Sequence, residues 1–348
     1  MVQAGRVVRA FFTSGGSDSV ESALRPARQY WKIKGQGDRT KFMALKKGYH
    51  GTHFGGASVN GNANFRRNYE PLLPGVFHIP APWTYRNPFT ETDPAPLAKL
   101  CAAAMEDEIA FQGADTIEAF IMEPVLGAGG VIVPPDDFMK LAREICDRHG
   151  ILMISDEVVM GFGRTGAWSG ARLFGVKPDM MTIAKAITSG YFPLGATLIN
   201  DKIAEAFEAD QTGFGSIGHG YTCSGHPVGC AAGIAALAET KRLRLDENAA
   251  ARGKELGQAL EQLKAHHPIV GDVRYKGLMA AIELVSDRAT KKAVDKKTLA
   301  AVADRAFDAG VMLRVSGNTI ILSPPLILTA ADVARIAEGI DVGLAAAA

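Results

Sequence analysis

The sequence has neither a strong excess of one charge nor a long apolar stretch, and both absences narrow the kinds of protein it can be. Its 348 residues carry a formal net charge of +1, so no strongly basic or acidic surface is expected for nucleic acid or an anionic membrane. No apolar run is long enough to span a bilayer. We therefore expect a cytoplasmic protein that binds neither membranes nor nucleic acids.

The cysteines are few and show no pattern of a metal or disulfide site. They lack CxxC pairing and the spacing of zinc ligands, so we expect free thiols in a reducing compartment and no bound metal. Nucleotide-binding signatures are missing too: there is no GxxxxGK[ST], and no GxGxxG with an acid suitably downstream. The four cysteines are Cys101, Cys146, Cys223 and Cys230.

The order of segments predicts the fold class. Strand-like and helix-like segments alternate up to about Ala235, which predicts an α/β fold with a mostly parallel sheet flanked by helices. After about Lys241 the pattern changes to hairpins and amphipathic helices, as in α+β proteins. The chain is long enough for two domains. We predict a large domain over residues 1–240 and a smaller C-terminal α+β domain over residues 241–348.

Local signals predict where some elements begin and end. Pro26 lies inside a helical pattern and is expected to kink or shorten that helix. Residues 50–94 are rich in glycine, asparagine and proline, which predicts long surface excursions. Thr329 and Asp332 have the spacing of a capping box and are expected to start the last helix.

Two buried strands end in charged residues. The strand-like segment 179–184 precedes Lys185, and the strand-like segment 151–155 precedes Asp156. In open α/β sheets ligands bind at the carboxyl ends of strands, so we expect an ammonium and a carboxylate in one crevice. Taken singly, each residue is more often part of an ion pair, a helix cap or a solvated surface.

A glycine-rich turn near the N-terminus, Thr13–Ser17, opens a helix. Free backbone N–H groups and the positive end of a helix attract an anion. Gly16 would let the backbone approach a phosphate closely, and the Ser17 hydroxyl could donate a hydrogen bond. Most turns of this composition are only turns, so the signal gains weight only in combination.

Together, the lysine, the acid and the turn are what pyridoxal phosphate requires. Lys185 would form a Schiff base with the cofactor and then move a proton as general base and acid. Asp156, as an ionised carboxylate, would keep the pyridine nitrogen protonated. The ring then withdraws electrons from the carbon that bears the amine.

A series of short motifs runs along nearly the whole chain, and their order is highly specific. The motifs are Phe12–Glu21, Gly48–Thr52, Glu123–Gly130, Ser155–Val158, Gly161–Gly166, Ala184–Lys185, Gly220–Pro227 and Ser323–Leu326. In this order they resemble the class III aminotransferases, which are pyridoxal-phosphate enzymes of fold type I. The resemblance implies that fold and that cofactor.

The resemblance also implies roles around the cofactor ring. Tyr49 would stack on one face of the pyridine ring and Val158 would pack on the other. Glu123 would lie under the cofactor's edge; the alternative is a strand-end acid that binds backbone. In the same resemblance Gly16 and Ser17 hold the phosphate.

Two further residues are implied to act beyond the ring. Thr222 would reach across a dimer interface to the phosphate of the other subunit, which makes a homodimer with shared sites the expected active unit. Arg314 would bind the carboxylate of the acidic substrate, because guanidinium forms a bidentate pair with a carboxylate. The alternative is a surface arginine at a strand end.

The resemblance further implies a reaction. Ala128 stands where glutamate- or ornithine-using members often carry glutamate, and residues 68–75 and 83–88 favour the ω-amine or β-alanine:pyruvate branch. We expect an amino group to move from an ω-amine or ω-amino acid to pyruvate or a similar 2-oxo acid, by a ping-pong Schiff-base mechanism. The alternatives are another fold type I reaction, such as an aminomutase or decarboxylase, and an inactive fragment with a structural or binding role.

The start of the chain departs from the family pattern. Family chains have a substantial segment before the glycine-rich turn, which here comes close to Met1. We therefore expect an N-terminally truncated form. Such a form is expected to bind the cofactor weakly, to be poorly soluble and to show little activity.

Overall fold

A seven-stranded sheet organises the first of two units in the computed structural model, which describes residues 9–347. The strands are β1 (Arg9–Thr13), β2 (Lys41–Leu45), β3 (Val76–Ile79), β4 (Ile117–Met122), β5 (Leu152–Asp156), β6 (Met180–Ile183) and β7 (Gly195–Ile199). Their order in the sheet is β1-β7-β6-β5-β4-β2-β3. All neighbours from β3 to β6 are parallel, and β7 runs antiparallel to β6 and to β1. The predicted α/β class with a mostly parallel sheet is confirmed.

Helices in the first part of the chain alternate with these strands. They are α1 (Gly16–Ile33), α2 (Phe54–Val59), α3 (Pro94–Gln112), α4 (Phe138–His149), α5 (Gly170–Leu173), α6 (Asp201–Glu208) and α7 (Pro227–Arg242). Pro26 is buried inside α1 and does not shorten it, since the helix continues to Ile33. The expectation of long surface excursions over residues 50–94 was wrong in part, because this segment contains the buried helix α2 and the edge strand β3 besides irregular chain.

The core explains the strand sequences. Every residue of β4 and β5 is buried, because helices cover both faces of a parallel sheet. The carboxyl ends of β4, β5 and β6 share one edge. Glu123 follows β4, Asp156 ends β5 and Lys185 comes two residues after β6. The topology therefore carries these three residues to the same edge of the sheet.

The second unit is built on an antiparallel sheet of five strands, and besides residues 242–347 it includes the short segments 130–133 and 163–167. Its elements are α8 (Leu245–His266), β8 (Val270–Lys276), β9 (Met279–Asp287), β10 (Lys292–Ala293), α9 (Lys296–Asp308), β11 (Arg314–Ser316), β12 (Thr319–Leu322) and α10 (Ala330–Ala345). The strand order is β10-β9-β12-β11, and β8 pairs with β9. The capping box of Thr329 and Asp332 is confirmed at the start of α10.

Across residues 9–347, none of the helices combines the length and the apolarity that crossing a bilayer requires.

Candidate active site

A cavity of about 450 Å³ lies in the first unit, lined by residues that follow β1, β4, β5 and β6. It brings together most of the site residues predicted from the sequence. Those that line it are Gly16, Ser17, Tyr49, Glu123, Asp156, Val158 and Lys185. Thr222 is exposed on the loop before α7 and is not part of this lining, and Arg314 is exposed at the start of β11 in the second unit.

The glycine-rich turn is held firmly between β1 and α1. The hydroxyls of Thr13 and Ser19 are 2.7 Å apart, and Ser19 also donates to the carbonyl oxygens of Gly15 and Ile183 at 2.8 and 3.1 Å. A Cβ on Gly16 would lie only 2.8 Å from Cγ1 of Val158. The turn thus places bare backbone at the N-terminus of an 18-residue helix, where an anion is stabilised.

Lys185 stands at a sharp turn of the chain. It begins a short 3₁₀ segment two residues after β6, and its φ is +44°. A left-handed backbone is uncommon for a residue other than glycine, and residues of this kind concentrate at functional sites. The turn leaves the Lys185 side chain exposed on the wall of the cavity.

Asp156 is fixed by three hydrogen bonds. Its Oδ1 accepts from the backbone N–H of Val158 and from the hydroxyl of Thr182, both at 3.1 Å. Its Oδ2 lies 2.8 Å from Nδ1 of His50. The side chain is only 4% exposed. All three partners are neutral donors or an imidazole, so no lysine or arginine cancels the carboxylate's charge in this set.

Neither Thr182 nor the contact of His50 with Asp156 was predicted from the sequence as part of the site. Thr182 pairs with Asp156 across β5 and β6, and this register is a tertiary property. The sequence did place His50 directly after Tyr49 in the motif Gly48–Thr52, but only Tyr49 was assigned a role there.

Glu123 is fully buried and binds backbone. Its Oε1 accepts from the N–H of Tyr49 at 2.9 Å, and its Oε2 accepts from the N–H of Gly127 at 2.8 Å. Burial raises the pKa of Glu123 to about 7, and the nearby Asp156 adds to this rise while His50 opposes it. These contacts fit the alternative interpretation of a strand-end acid. Because Glu123 holds the segment that carries Tyr49, it shapes one wall of the cavity.

Glu157 was also missed from the sequence. Although it is next to Asp156 in sequence, Glu157 lies in a different environment. Its carboxylate accepts hydrogen bonds from the N–H groups of Gly170 and Ala171 at 2.7 and 2.6 Å, and from Ser155 Oγ at 3.0 Å. Burial raises its pKa to about 7. Through its hydrogen bonds to Gly170 and Ala171, Glu157 anchors the start of α5, whereas Asp156 lines the cavity.

The donor set of the cavity fits pyridoxal phosphate. It offers a primary amine on Lys185, a carboxylate on Asp156 and a phosphate cradle at Gly16 that has no space for a Cβ. Tyr49 also lines the cavity, and its aromatic ring packs against Phe65 with 4.7 Å between ring centroids. An amine, an acid, an anion cradle and an aromatic surface are the groups that this cofactor uses.

Known proteins resemble this chain along nearly its whole length. A family model described as aminotransferase class-III matches residues 2–343. A putrescine–pyruvate aminotransferase of Pseudomonas aeruginosa is 37% identical over 319 residues, covering 91% of this chain and 69% of that protein. A taurine–pyruvate aminotransferase of Bilophila wadsworthia is 38% identical over 344 residues, covering 96% and 74%.

A solved structure gives the same picture. The structure of an amine transaminase from an uncultivated Pseudomonas species in its PLP-bound form superimposes with a TM-score of 0.95 at 49% sequence identity. The match covers 97% of this chain and 76% of that chain.

Proposed function

The chain belongs to the class III aminotransferases, which depend on pyridoxal 5′-phosphate, and on this premise we propose that it moves an amino group from an ω-amine or ω-amino acid to pyruvate or a similar 2-oxo acid. The observation that carries the proposal is the cavity in which Lys185, Asp156 and the Gly16 turn meet.

The cofactor supplies an electron sink when it is bound. Lys185 would hold it through the side-chain amine and then carry the proton to and from the amine-bearing carbon of the substrate, as general base and acid. Asp156 would accept a hydrogen bond from the ring nitrogen. Its burial and its three fixed partners keep the carboxylate in one orientation.

Other residues would bind and orient the cofactor. The N–H groups at the start of α1 and the Ser17 hydroxyl would bind the phosphate, where the helix end favours negative charge. Tyr49 and Val158 would pack against the two faces of the ring. Gly16 and Val158 are in van der Waals proximity, so the cradle and one ring face are positioned together.

The active unit would be a homodimer. Thr222 is exposed and lies outside the cavity lining, as a residue that serves the phosphate of a second subunit would. Light scattering of the protein with cofactor should give twice the mass of the chain. A fully active monomer would contradict both the dimer and the role of Thr222.

The substrate proposal rests on relatives and on two residues. The names of the putrescine and taurine enzymes give pyruvate as the amino acceptor. Ala128 stands where glutamate- or ornithine-using members often carry a glutamate, and alanine cannot neutralise a second arginine as that acid can. Arg314 would bind the acceptor's carboxylate, so Arg314→Ala should raise the KM for pyruvate far more than that for an amine without a carboxylate. Equal changes in both KM values would indicate a structural arginine.

Covalent labelling tests the central assignment. The protein reconstituted with pyridoxal phosphate should absorb in the visible range and lose that band on borohydride reduction, and peptide mapping should find the label on Lys185. A label on another lysine would refute the assignment, and the absence of any bound cofactor would support an inactive fragment. Incubation with an amine alone should release a free carbonyl product, which an aminomutase or decarboxylase would not give.

A further inference from the structure

The phosphate cradle at Gly16 and the residue Lys185 follow strands that are not neighbours in the sheet. The cradle follows β1 and Lys185 follows β6, and β7 lies between these two strands. Ladder hydrogen bonds therefore join β1 and β6 to β7 but not to each other. A ligand that is anchored at both places through one rigid ring requires a fixed distance between them, so the connection across β7 matters.

Two buried hydroxyls make such a connection. Thr13 and Ser19 are both 0% exposed, and their hydroxyl oxygens are 2.7 Å apart. Oγ of Ser19 lies 2.8 Å from the carbonyl oxygen of Gly15 and 3.1 Å from that of Ile183. Gly15 belongs to the glycine-rich turn, and Ile183 is the last residue of β6, two positions before Lys185. The hydroxyl pair therefore links the turn to the end of the strand that carries the lysine.

The hydroxyl protons suffice for this link. The single proton of Ser19 is shared between the two carbonyl oxygens as a three-centre hydrogen bond. Oγ of Ser19 then accepts the proton of Thr13 across the 2.7 Å contact. Because the pair is buried, these hydrogen bonds lie in a medium of low dielectric constant, which strengthens them.

The strand between the two sites leaves space for the pair. A Cβ on Gly195, the first residue of β7, would lie only 2.5 Å from Oγ of Ser19 and 2.7 Å from Oγ1 of Thr13. The same strand also fixes the backbone of Ser19, because Thr197 donates its hydroxyl proton to the Ser19 carbonyl at 2.6 Å. The start of β7 thus accommodates the link and holds it in place.

Each of the two sites also has backbone hydrogen bonds of its own. The N–H of Ser19 donates to the carbonyl of Gly15 at 3.0 Å, and the N–H of Ile187 donates to the carbonyl of Ala184 at 3.1 Å, which closes the turn at Lys185. Neither bond needs the Ser19 hydroxyl. That hydroxyl therefore contributes the connection between the cradle and the lysine turn rather than the local shape of either.

We infer that Thr13 and Ser19 are positioning residues, which hold the phosphate cradle and Lys185 at the separation that one cofactor molecule requires. The inference rests on the proposed function and deepens it. Occupying two sites with one ligand increases affinity only when the geometry allows both to be engaged together. The contribution of the pair should therefore appear for a ligand that spans both sites and be small for a ligand that occupies one.

Three ligands separate these cases. Pyridoxal phosphate spans both sites, inorganic phosphate occupies the cradle alone, and pyridoxal, which lacks the phosphate, reaches Lys185 alone. In Ser19→Ala we expect the affinity for pyridoxal phosphate to fall about tenfold, as for loss of a buried hydrogen bond. The affinities for inorganic phosphate and pyridoxal should change less than about twofold, because each site keeps its own backbone bonds.

Calorimetry measures the binding of phosphate, and visible absorbance with peptide mapping after borohydride reduction measures attachment of the two aldehydes to Lys185. An unchanged affinity of Ser19→Ala for pyridoxal phosphate would overturn the inference. It would also be overturned if inorganic phosphate alone lost as much affinity as the whole cofactor, since that result indicates a merely structural role in the turn.

Thr13 provides a second pair of variants, which carries the test if Ser19→Ala does not fold. Thr13→Val removes the hydroxyl at nearly constant volume and should weaken only the spanning ligand, whereas Thr13→Ser keeps the hydroxyl and should restore the affinity. Equal affinities of these two variants for pyridoxal phosphate would contradict the inference.

Ser58→Ala is the matched control. Ser58 is 1% exposed in α2 and, like Ser19, donates to the carbonyl four residues earlier in its helix, which is that of Phe54. We expect all three affinities of this variant to stay within about twofold of wild type, and a loss confined to pyridoxal phosphate here would overturn the inference. Wild-type protein that does not attach the cofactor at Lys185 would refute the proposed function itself, and the inference with it.

Discussion

At the scale of a single residue, Lys185 occupies a backbone conformation that glycine adopts more easily. Its φ of +44° lies in the left-handed region, where a Cβ crowds the backbone. The proposed chemistry requires a lysine at this position, so on that proposal the strain lies where the side chain is needed. The strain should be visible when the amine is removed.

We expect Lys185→Gly to be more stable than Lys185→Ala in the cofactor-free protein, by roughly 1 kcal/mol in the free energy of unfolding, because only glycine relieves the left-handed backbone. Urea denaturation of both variants checks this. Lys140, exposed on α4, is the matched control: there glycine should be the less stable variant by about 1 kcal/mol. The same order of stability at both positions would contradict the strain at Lys185.

Sequence patterns could predict Lys185 and Asp156 because each follows a buried apolar run, and the ends of parallel strands meet. They could not predict the partners of Asp156. Thr182 contacts it through the register of β5 against β6, and His50 arrives from a segment more than a hundred residues away. Contacts of this kind depend on how strands pair, which periodicity within one strand does not contain.

At the scale of elements, the start of α1 packs closely against the chain that follows β5, where Gly16 faces Val158. Gly15 and Gly16 are adjacent, yet a Cβ on Gly15 would meet nothing within 4 Å, whereas one on Gly16 would lie 2.8 Å from Val158. Gly15 has an extended backbone that any residue can adopt. The two glycines therefore form a matched pair for testing the cradle.

We expect Gly16→Ala to weaken binding of pyridoxal phosphate by about tenfold, the size of effect that overpacking produces. The extra methyl group must displace Val158 from the cavity wall. Gly15→Ala should change the affinity less than about twofold, because a Cβ at Gly15 has open space and causes no overpacking. Fluorescence titration with the cofactor gives both values, and Val158→Ala should partly rescue Gly16→Ala; equal effects at the two glycines would speak against the close fit.

Element boundaries were less predictable than element types. Pro26 was expected to kink or shorten α1, and the helix is not shortened: it continues to Ile33 with the proline buried, because tertiary packing outweighs the local cost of proline. The composition of residues 50–94 predicted surface chain, but β3 pairs with β2 at the edge of the sheet. The small residues of α2 are buried, although a segment rich in glycine and asparagine is typical of surface chain. Composition does not indicate which small residues pack against the rest of the protein.

At the scale of the whole molecule, buried glutamates set part of the pH dependence of stability. Burial raises the pKa values of Glu118, Glu123 and Glu157 to about 7, from an ordinary value of 4.5. Between these pH values the native state retains protons that the unfolded state has lost. The free energy of unfolding therefore falls as pH rises through this window.

We expect Glu157→Gln to remove part of that slope. The wild-type protein should lose stability relative to the variant between pH 5 and 7, by up to the order of 3 kcal/mol, because only the wild type must ionise the buried Glu157. Urea denaturation at several pH values measures the difference. Asp332→Asn is the control, since hydrogen bonds from Thr329 lower the pKa of that exposed acid, and its titration lies below the window. A difference that is constant with pH would count against the raised pKa.

The connectivity of the two units limits how the protein can be recombined. The chain passes from one unit to the other after residues 129, 133, 162, 167 and 241. Within the second unit, Arg274 donates to the carbonyl of Gly130 at 2.8 Å, and Arg164 donates to the carbonyl oxygens of Leu278 and Pro324. A chimera that exchanges only residues 242–347 with a relative would join these arginines and carbonyls from different parents. Gene shuffling within the family should therefore succeed more often when the two short segments travel with the C-terminal portion.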